Sequence, residues 1–340
     1  RSHCVRGCSY GAYFSSLSAT LPAARATGNL TILTDQIAHS LDHDPQTGRV
    51  TGVRTIDAND LTGTTHRGRI IFLCASAIAS AQILLNSTSE AHPRGLANGS
   101  DALGRYVMDH VGGAGASGRV PGLLDRYEFG RRPNNIYVPN YRFKQQRPGD
   151  GFVRGFGFQG GAARGRPLAD AGTKPGLGVA AKQAALTHGA WHMHLTLFGE
   201  MLPHPDNRLT LHPIQKDRWG LPLAHLDCTL RDNEKSMIAR ARDEAADILR
   251  AGGCEDVSAY ARFDTPVGAK THEMGTARMG RDPASSVLNA WNQAHQVPNL
   301  FVTDGACMAS SGTQNPSLTY MALTARAADH AVRLLKEGVI

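Results

Sequence analysis

Residues 67–87 read RGRIIFLCASAIASAQILLNS. Ile70 to Cys74 are a continuous apolar run, as expected of a strand buried on both faces. The run passes through small residues into a segment carrying Ile83, Leu84 and Leu85, which predicts a helix. A buried strand, a small-residue turn and a helix form the layout of a nucleotide-binding α/β unit. Upstream, the β-branched stretch NLTILTDQIAHS (29–40) predicts a strand and VTGVRTID (50–57) another, with DPQTG (44–48) turning between them.

Downstream the texture changes. Between 111 and 190 glycine, proline and arginine become frequent, as in RPGDGFVRGFGFQGGAARGRP (147–167), and periodicity weakens. Such a stretch reads either as a surface loop or as a loop covering an active site. Alternation returns in WHMHLTLFGE (191–200) and NRLTLHP (207–213), which predict strands. The clearest helix is 232–251, where Met237, Ile238, Ala241, Ala245, Ile248 and Leu249 share a face and Gly252–Gly253 end it. NLFVTDGA (299–306) then predicts a strand ending in Asp304-Gly305, followed by a long helix with Asn315 at its N-cap and Pro316 at its first position. With α/β character at both ends, the expected class is α/β, or α+β overall. A Rossmann-like nucleotide domain (1–110 and 270–340) is interrupted by an inserted substrate domain (111–269) built on an antiparallel sheet.

Composition narrows the function classes. The 340 residues are 41% hydrophobic and 19% charged, the profile of a globular protein with a sizeable core. A net charge of +7 is scattered rather than gathered into a stripe, and only 6% of residues are aromatic, which argues against nucleic acid as a partner. The most apolar stretch, from Ile70 to Leu85, is interrupted by Ser76, Ser80 and Gln82 and is short for a membrane span. Of the six cysteines, only Cys4 and Cys8 are close neighbours, and no second pair completes a zinc site.

The C-terminal third carries HEMGTARMG (272–280), NLFVTDGA (299–306) and NPSLTYMALTARAADHAV (315–332) in order. In these three blocks the sequence resembles the glucose–methanol–choline (GMC) family of flavin oxidoreductases, whose C-terminal part carries H-x-x-G-T-x-x-M-G, a strand ending in Asp, and a final helix opening with His or Asn. CASAIASAQILLNS (74–87) is similar to another family segment, with Ser76 where glycine is usual and Ala81 where proline is usual. LGRYVMDH (103–110) is similar to its L-G-x-x-x-x-D-H element. Within the family, residues near the start (RGCSYGAYFSSLSATLPAA), 154–161 and 314–327 most resemble bacterial sugar and glycoside dehydrogenases, some of which oxidise the C3 hydroxyl. The family's opening βαβ unit with G-x-G-x-x-G has no counterpart here, and FGFQGGAARG neither follows a clean strand nor precedes a helix. The sequence therefore reads as the C-terminal two-thirds of such an enzyme, opening on RSHC rather than Met.

What the resemblance implies is FAD-dependent oxidation of a sugar or glycoside alcohol to a ketone, by hydride transfer to flavin N5. It casts His272 as the base that takes the hydroxyl proton and Asn315 as the residue that positions the hydroxyl. It places Asp304 and Gly305 along the ribityl–pyrophosphate part of FAD, the backbone near Ile37 at the adenine, and Ala75–Ser76 beside the dinucleotide. The helix opening at Pro316 and Ser317 would point its partial positive charge at the flavin N1/C2=O edge. The implied partners are a small sugar or glycoside and an electron acceptor or small partner subunit. No leader is visible, which leaves a bacterial cytoplasm or periplasm open.

Plainer readings stand beside these. His272 alone would serve as a structural histidine, Asn315 as an N-cap, and Asp304 as a turn cap before Gly305. His110 reads as structural. The chain also reads as a non-catalytic or truncated piece that binds no FAD by itself, or, through the alternating His192 and His194, as a metal site lacking a third ligand.

Overall fold

The computed structural model describes residues 8, 10–11, 14–126, 135–141, 149–164, 178–186 and 189–340. Cys4 and much of the glycine-rich stretch between 127 and 188 lie outside the described residues.

A short helix α1 (Thr20–Ala26) precedes an antiparallel meander of β1 (Gln36–Asp44), β2 (Arg49–Asp57) and β3 (Gly63–Arg67). The expected turn closes β1 onto β2, with Gly48 N donating to Asp44 O at 2.8 Å. The strand expected from residue 29 begins only at Gln36, beyond Asp35 at φ +59°. Residues 29–34 have the β-branched composition but are exposed and outside any described strand, and apolar residues make a strand only where a partner strand takes up their backbone groups.

β4 (Ile71–Leu73) runs straight into α2 (Ala77–Asn86), as the opening stretch predicts. Its partner comes from the other end of the chain: β13 (Leu300–Val302) pairs with β4 in parallel, Phe301 opposite Phe72. The rings of these two phenylalanines stack at 4.9 Å. One apolar core accordingly joins Leu41, Leu73 and Leu84 to Val302, Ala306 and Cys307.

Between these ends lies an antiparallel sheet of six strands. It contains β5 (His110–Val111), β6 (Ala114–Val120), β7 (Ile136–Val138), β8 (Phe156–Arg164), β9 (Trp191–Glu200) and, after the rest, β12 (Glu255–Ala261). Helix α3 (Val179–Leu186) lies between β8 and β9, and the hairpin β10 (Arg208–Lys216)–β11 (Pro222–Asp227) follows β9. Part of the expected loop is thus a nine-residue strand, β8. Its alternation is F-G-F-Q-G: Phe156 and Phe158 are fully buried on one face, and glycines stand where side chains would mark the other. Glycine is required at Gly157 on that face, since a Cβ there would sit 2.5 Å from Val138 O.

The buried face of this sheet is covered by α4 (Asp232–Ala251). Met237, Ile238, Ala241, Ala245, Ala246 and Leu249 of α4 pack on Phe156, Phe158, Leu195 and Leu197 in a second core. Glu234 reaches back to accept from Arg231 N at 3.0 Å, which satisfies one of the orphan donors at the start of α4. The chain closes with α5 (Ser317–Lys336). There the expected capping differs: Pro316 occupies the N-cap position and no side chain caps this end.

Candidate active site

The segment 272–279 is threaded between the two cores. Met274 exchanges two backbone hydrogen bonds with Met108, both 2.9 Å, while Gly275, Ala277 and Met279 donate to Gly305, Ala306 and Cys307. Its glycine is dictated by space, because Gly275 has φ +97° and a Cβ there would lie 2.1 Å from Tyr106 O. Thr276 Oγ1 donates to Ala77 O at 2.5 Å, tying the segment to the start of α2. The H-x-x-G-T pattern is therefore a packing pattern as well as a chemical one.

His272 stands at the entry to this segment, and Asp109 fixes it there. The Asp109 carboxylate is 1% exposed and accepts four backbone N–H groups. These come from His110 (2.7 Å), Gly268 (3.0 Å), Lys270 (2.8 Å) and His272 (3.2 Å). A buried carboxylate satisfied this fully is a strong local clamp. Thr271, just before the histidine, is held at φ +58°.

The structure brings His272 and Asn315 together, with Asn315 Nδ2 3.3 Å from His272 Nε2. His272 Nδ1 is buried without a hydrogen-bond partner among the described residues, so Nε2 is the nitrogen available for exchange. Burial pushes the His272 ring below the usual histidine range, opposed by the Asp109 and Glu273 charges. The ring is thus held neutral at pH 7, and its Nε2 can serve as an acceptor. His110 packs edge-on against it at 4.9 Å, anchored by a 3.2 Å contact from Nδ1 to Gly312 O. Burial pushes His110 down to about 4. Phe198 of β9 completes the ring cluster at 6.2 Å from His272, with the Lys270 ammonium 4.7 Å above the centre of its ring.

The residues assigned to the dinucleotide by resemblance fall in three places. Ala75 and Ser76 lie exposed at the carboxyl end of β4, beside Asp304 and Gly305 at the carboxyl end of β13. Carboxyl ends of parallel strands are where open α/β sheets receive ligands. Ser76 adopts φ +84°, ψ +161°, a backbone form that explains why glycine suits this place in the resembling segment. The Asp304 carboxylate itself turns inward. It accepts from Ser80 Oγ at 2.5 Å and Ala306 N at 2.8 Å, and burial pushes its pKa up. It caps the turn after β13, so the plainer reading of Asp304 also describes its contacts. Gly305 is needed for close approach, since a Cβ would lie 2.4 Å from Glu273 O. Pro316 and Ser317 open α5 directly after Asn315, while Ile37 sits on the edge strand β1 opposite Ile56.

Two features of the chain fit the flavin dinucleotide. The strand ends present the exposed residues Cys74, Ala75 and Ser76, and the α5 N-terminus beside Asn315 is an uncapped source of partial positive charge. His192 and His194 do share one exposed face of β9, but no three His, Cys, Asp or Glu side chains among the described residues are grouped to hold a metal.

Asp109, Gln159, Phe198 and Lys270 were not singled out as site residues from sequence. Asp109 lies inside LGRYVMDH (103–110) and Gln159 inside RGFGFQGG (154–161), two segments that carry the resemblance. Neither segment says that its polar residue reaches a position more than 150 residues away, as Gln159 does in meeting Asn315.

Comparison with known proteins identifies the family. Models described as GMC oxidoreductase match residues 1–112 and 203–324. The 2-methyl-1,2-propanediol dehydrogenase of Mycolicibacterium austroafricanum is 33% identical over 298 residues, 86% of this chain and 53% of that protein. The fructose dehydrogenase large subunit of Gluconobacter japonicus is 28% identical over 339 residues, 99% of this chain and 60% of that one. The chain thus spans between half and three-fifths of the length of these relatives. Among solved structures, a formate oxidase superposes with a TM-score of 0.61 at 14% identity, covering 91% of this chain and 62% of its own. Pyridoxine 4-oxidase from Mesorbium loti gives 0.54 at 19% identity, covering 95% and 62%. The chain belongs to the GMC oxidoreductase family, whose members are FAD-dependent enzymes acting on alcohol groups.

Proposed function

We propose that the protein oxidises a hydroxyl of a sugar or glycoside to a carbonyl with FAD, and that this chain carries the base, His272, and the hydroxyl-orienting residue, Asn315. The observation that carries the reading is the 3.3 Å approach of Asn315 Nδ2 to His272 Nε2 on a loop clamped by Asp109. FAD, when bound, supplies the acceptor for the hydride leaving the carbinol carbon.

A hydroxyl seated between the two side chains would accept from Asn315 Nδ2 and donate to His272 Nε2. Burial keeps the ring neutral, so Nε2 can take the proton as negative charge grows on the substrate oxygen. Asn315 then donates to that oxygen, fixing its orientation and stabilising its charge. The uncapped start of α5, from Pro316 and Ser317, would favour negative charge beside the same place. Ala75, Ser76, Asp304, Gly305 and the backbone near Ile37 would hold the dinucleotide. Residues 1–110 and 270–340 form the flavin domain in this reading, and 111–269 form the substrate domain. Thr196 and Phe198 share one face of β9 and supply its wall.

The relatives named for fructose and for a propanediol support an alcohol-bearing substrate. One relative is named a large subunit, which supports an electron-accepting partner. Among the described residues no helix is long and apolar enough to cross a membrane.

The test is purification of the full-length gene product, a visible spectrum, and anaerobic addition of glucosides, free sugars and simple diols. A flavin spectrum bleached by a sugar or glycoside is expected. His272→Ala should lower kcat/KM by about 10²–10⁴-fold, the usual contribution of a general base. A colourless protein, or one whose flavin no alcohol reduces, would overturn the proposal. Because the two G-x-G-x-x-G matches in the sequence, 113–118 and 155–160, fall at strands β6 and β8 rather than between a strand and a helix, the 340-residue chain run in parallel tests the alternative of a piece that holds no FAD by itself.

A further inference from the structure

We infer that Gln159 is a positioning residue which sets the amide orientation of Asn315 and, through it, the tautomer of His272; the inference rests on the reading of those two residues given above. Gln159 sits mid-strand on β8, opposite Tyr137 of β7 and Thr196 of β9, so its backbone is fixed from both sides. Gly157 and Gly161 flank it on the same face. Its side chain crosses from the antiparallel sheet to the start of α5, where Gln159 Nε2 donates to Asn315 Oδ1. Asn315 Nδ2 then faces His272 Nε2.

The chain Gln159–Asn315–His272 is directional. An asparagine amide has one accepting end and one donating end, so the group at one end dictates what the other presents. A glutamine donor on Oδ1 leaves Nδ2 facing the histidine, and a donor facing Nε2 requires Nε2 to carry a lone pair. The proton of the neutral ring is consequently placed on Nδ1, although no described group accepts from that nitrogen. His272 is in this way held ready to accept a proton at Nε2, and Asn315 ready to donate to the substrate oxygen. Without Gln159 the amide is free to turn, and the turned form blocks the base. In that form Oδ1 faces Nε2 and stabilises the Nε2–H tautomer, which cannot accept.

The test uses the FAD-loaded full-length protein in three forms: wild type, Gln159→Met and Gln159→Glu. Methionine keeps the length and removes the donor. Glutamate is nearly isosteric but accepts, so it draws Asn315 Nδ2 to itself and turns Oδ1 toward His272. Long-range ¹H–¹⁵N spectra of histidine-labelled protein should report the Nδ1–H tautomer for His272 in the wild type and the Nε2–H tautomer in Q159E. On the same variants kcat should fall by about tenfold in Q159M and by about 10²-fold or more in Q159E, with KM changing far less, because productive orientation is what is lost. The acid limb of kcat/KM should move to higher pH in Q159E, where a new negative charge favours the imidazolium, and stay in place in Q159M. A merely structural glutamine would leave the tautomer unchanged. Wild-type kcat in both variants, or an Nδ1–H tautomer retained in Q159E, overturns the inference. If His272→Ala abolishes turnover while both Gln159 variants behave as wild type, only this inference fails; full activity in His272→Ala refutes the underlying reading.

Discussion

Asp109→Asn removes one charge and almost no volume, yet it should loosen His272, the proposed base. The two carboxylate oxygens divide four donors between them. Oδ1 takes His110 N and His272 N, and Oδ2 takes Gly268 N and Lys270 N. An asparagine offers one accepting oxygen, so whichever way it sits, two N–H groups lose their acceptor and face an NH₂ donor instead. Hydrogen bonds to a charged acceptor contribute about 1.5–3 kcal/mol each, and two of them about 3–6 kcal/mol. Relief from burying a full charge returns part of that, leaving a net loss of roughly 3 kcal/mol. Much of the loss is expected locally, in the turn 268–272, because that is where three of the four donors lie. Amide hydrogen exchange at Gly268, Lys270 and His272 should accelerate by about 10²-fold, the equivalent of that loss. The kinetic effect should be a drop in kcat of about 10²-fold, the scale of a displacement near 1 Å in a reacting group. The pH profile should respond in the opposite sense. Asp109 raises the His272 pKa, so its removal moves the acid limb of kcat/KM to lower pH even as the maximum falls. Unchanged exchange in 268–272, or an acid limb moving upward, would refute this account.

Two further predictions follow from single side chains. His110 is 4% exposed and held neutral, with its pKa pushed down to about 4 from 6.5. As pH falls below 6.5 the unfolded chain takes this proton first, so stability declines from there and the full penalty, about 3 kcal/mol, is reached near pH 4. His110→Phe should flatten denaturant midpoints measured between pH 7 and 4 by that amount, and an unaltered pH slope would show that other groups govern acid sensitivity. Ser76→Gly should stabilise the protein by about 1 kcal/mol, read as a higher melting temperature, because its backbone form is nearly exclusive to glycine. A lower melting temperature would mean that the serine side chain contributes more than the backbone form costs.

The features legible in the sequence are those written in local pattern. The continuous apolar run into α2 and the periodic face of α4 both extend over enough residues to fix the element. Residues 29–34 show the limit, since their composition suits a strand but pairing is a property of the partner. β8 shows another, since a strand whose one outward polar residue, Gln159, stands between Gly157 and Gly161 has little contrast to read. The proposed catalytic pair is legible only through resemblance to known blocks, because 43 positions separate His272 from Asn315 and nothing local records their meeting. Asn315 illustrates why two readings of one residue can both look sound. Its place ahead of Pro316 suits a helix cap, yet its side chain is committed to Gln159 and His272.

The position of His272 also explains why the site depends on both halves of the fold. Met274 belongs to the core under the antiparallel sheet, and Ala277, three residues on, belongs to the core around β4 and β13. The backbone between them bonds to Met108 on one side and to Gly305, Ala306 and Cys307 on the other. Asn315 arrives from the parallel half at the start of α5, and Gln159 from the antiparallel half on β8. A rotation of one half against the other would therefore change the distance from Asn315 to His272 and from Asn315 to Gln159 together. The segment 272–279 resists such a rotation because its hydrogen bonds to both halves are buried, where each lost bond costs more than it would in water. The place of His272 on the seam makes its geometry a direct readout of how the halves are seated. A side chain at Gly275 or Gly305, which would meet backbone oxygen at 2.1 and 2.4 Å, should on this reasoning displace His272 from Asn315 as well as destabilise the chain.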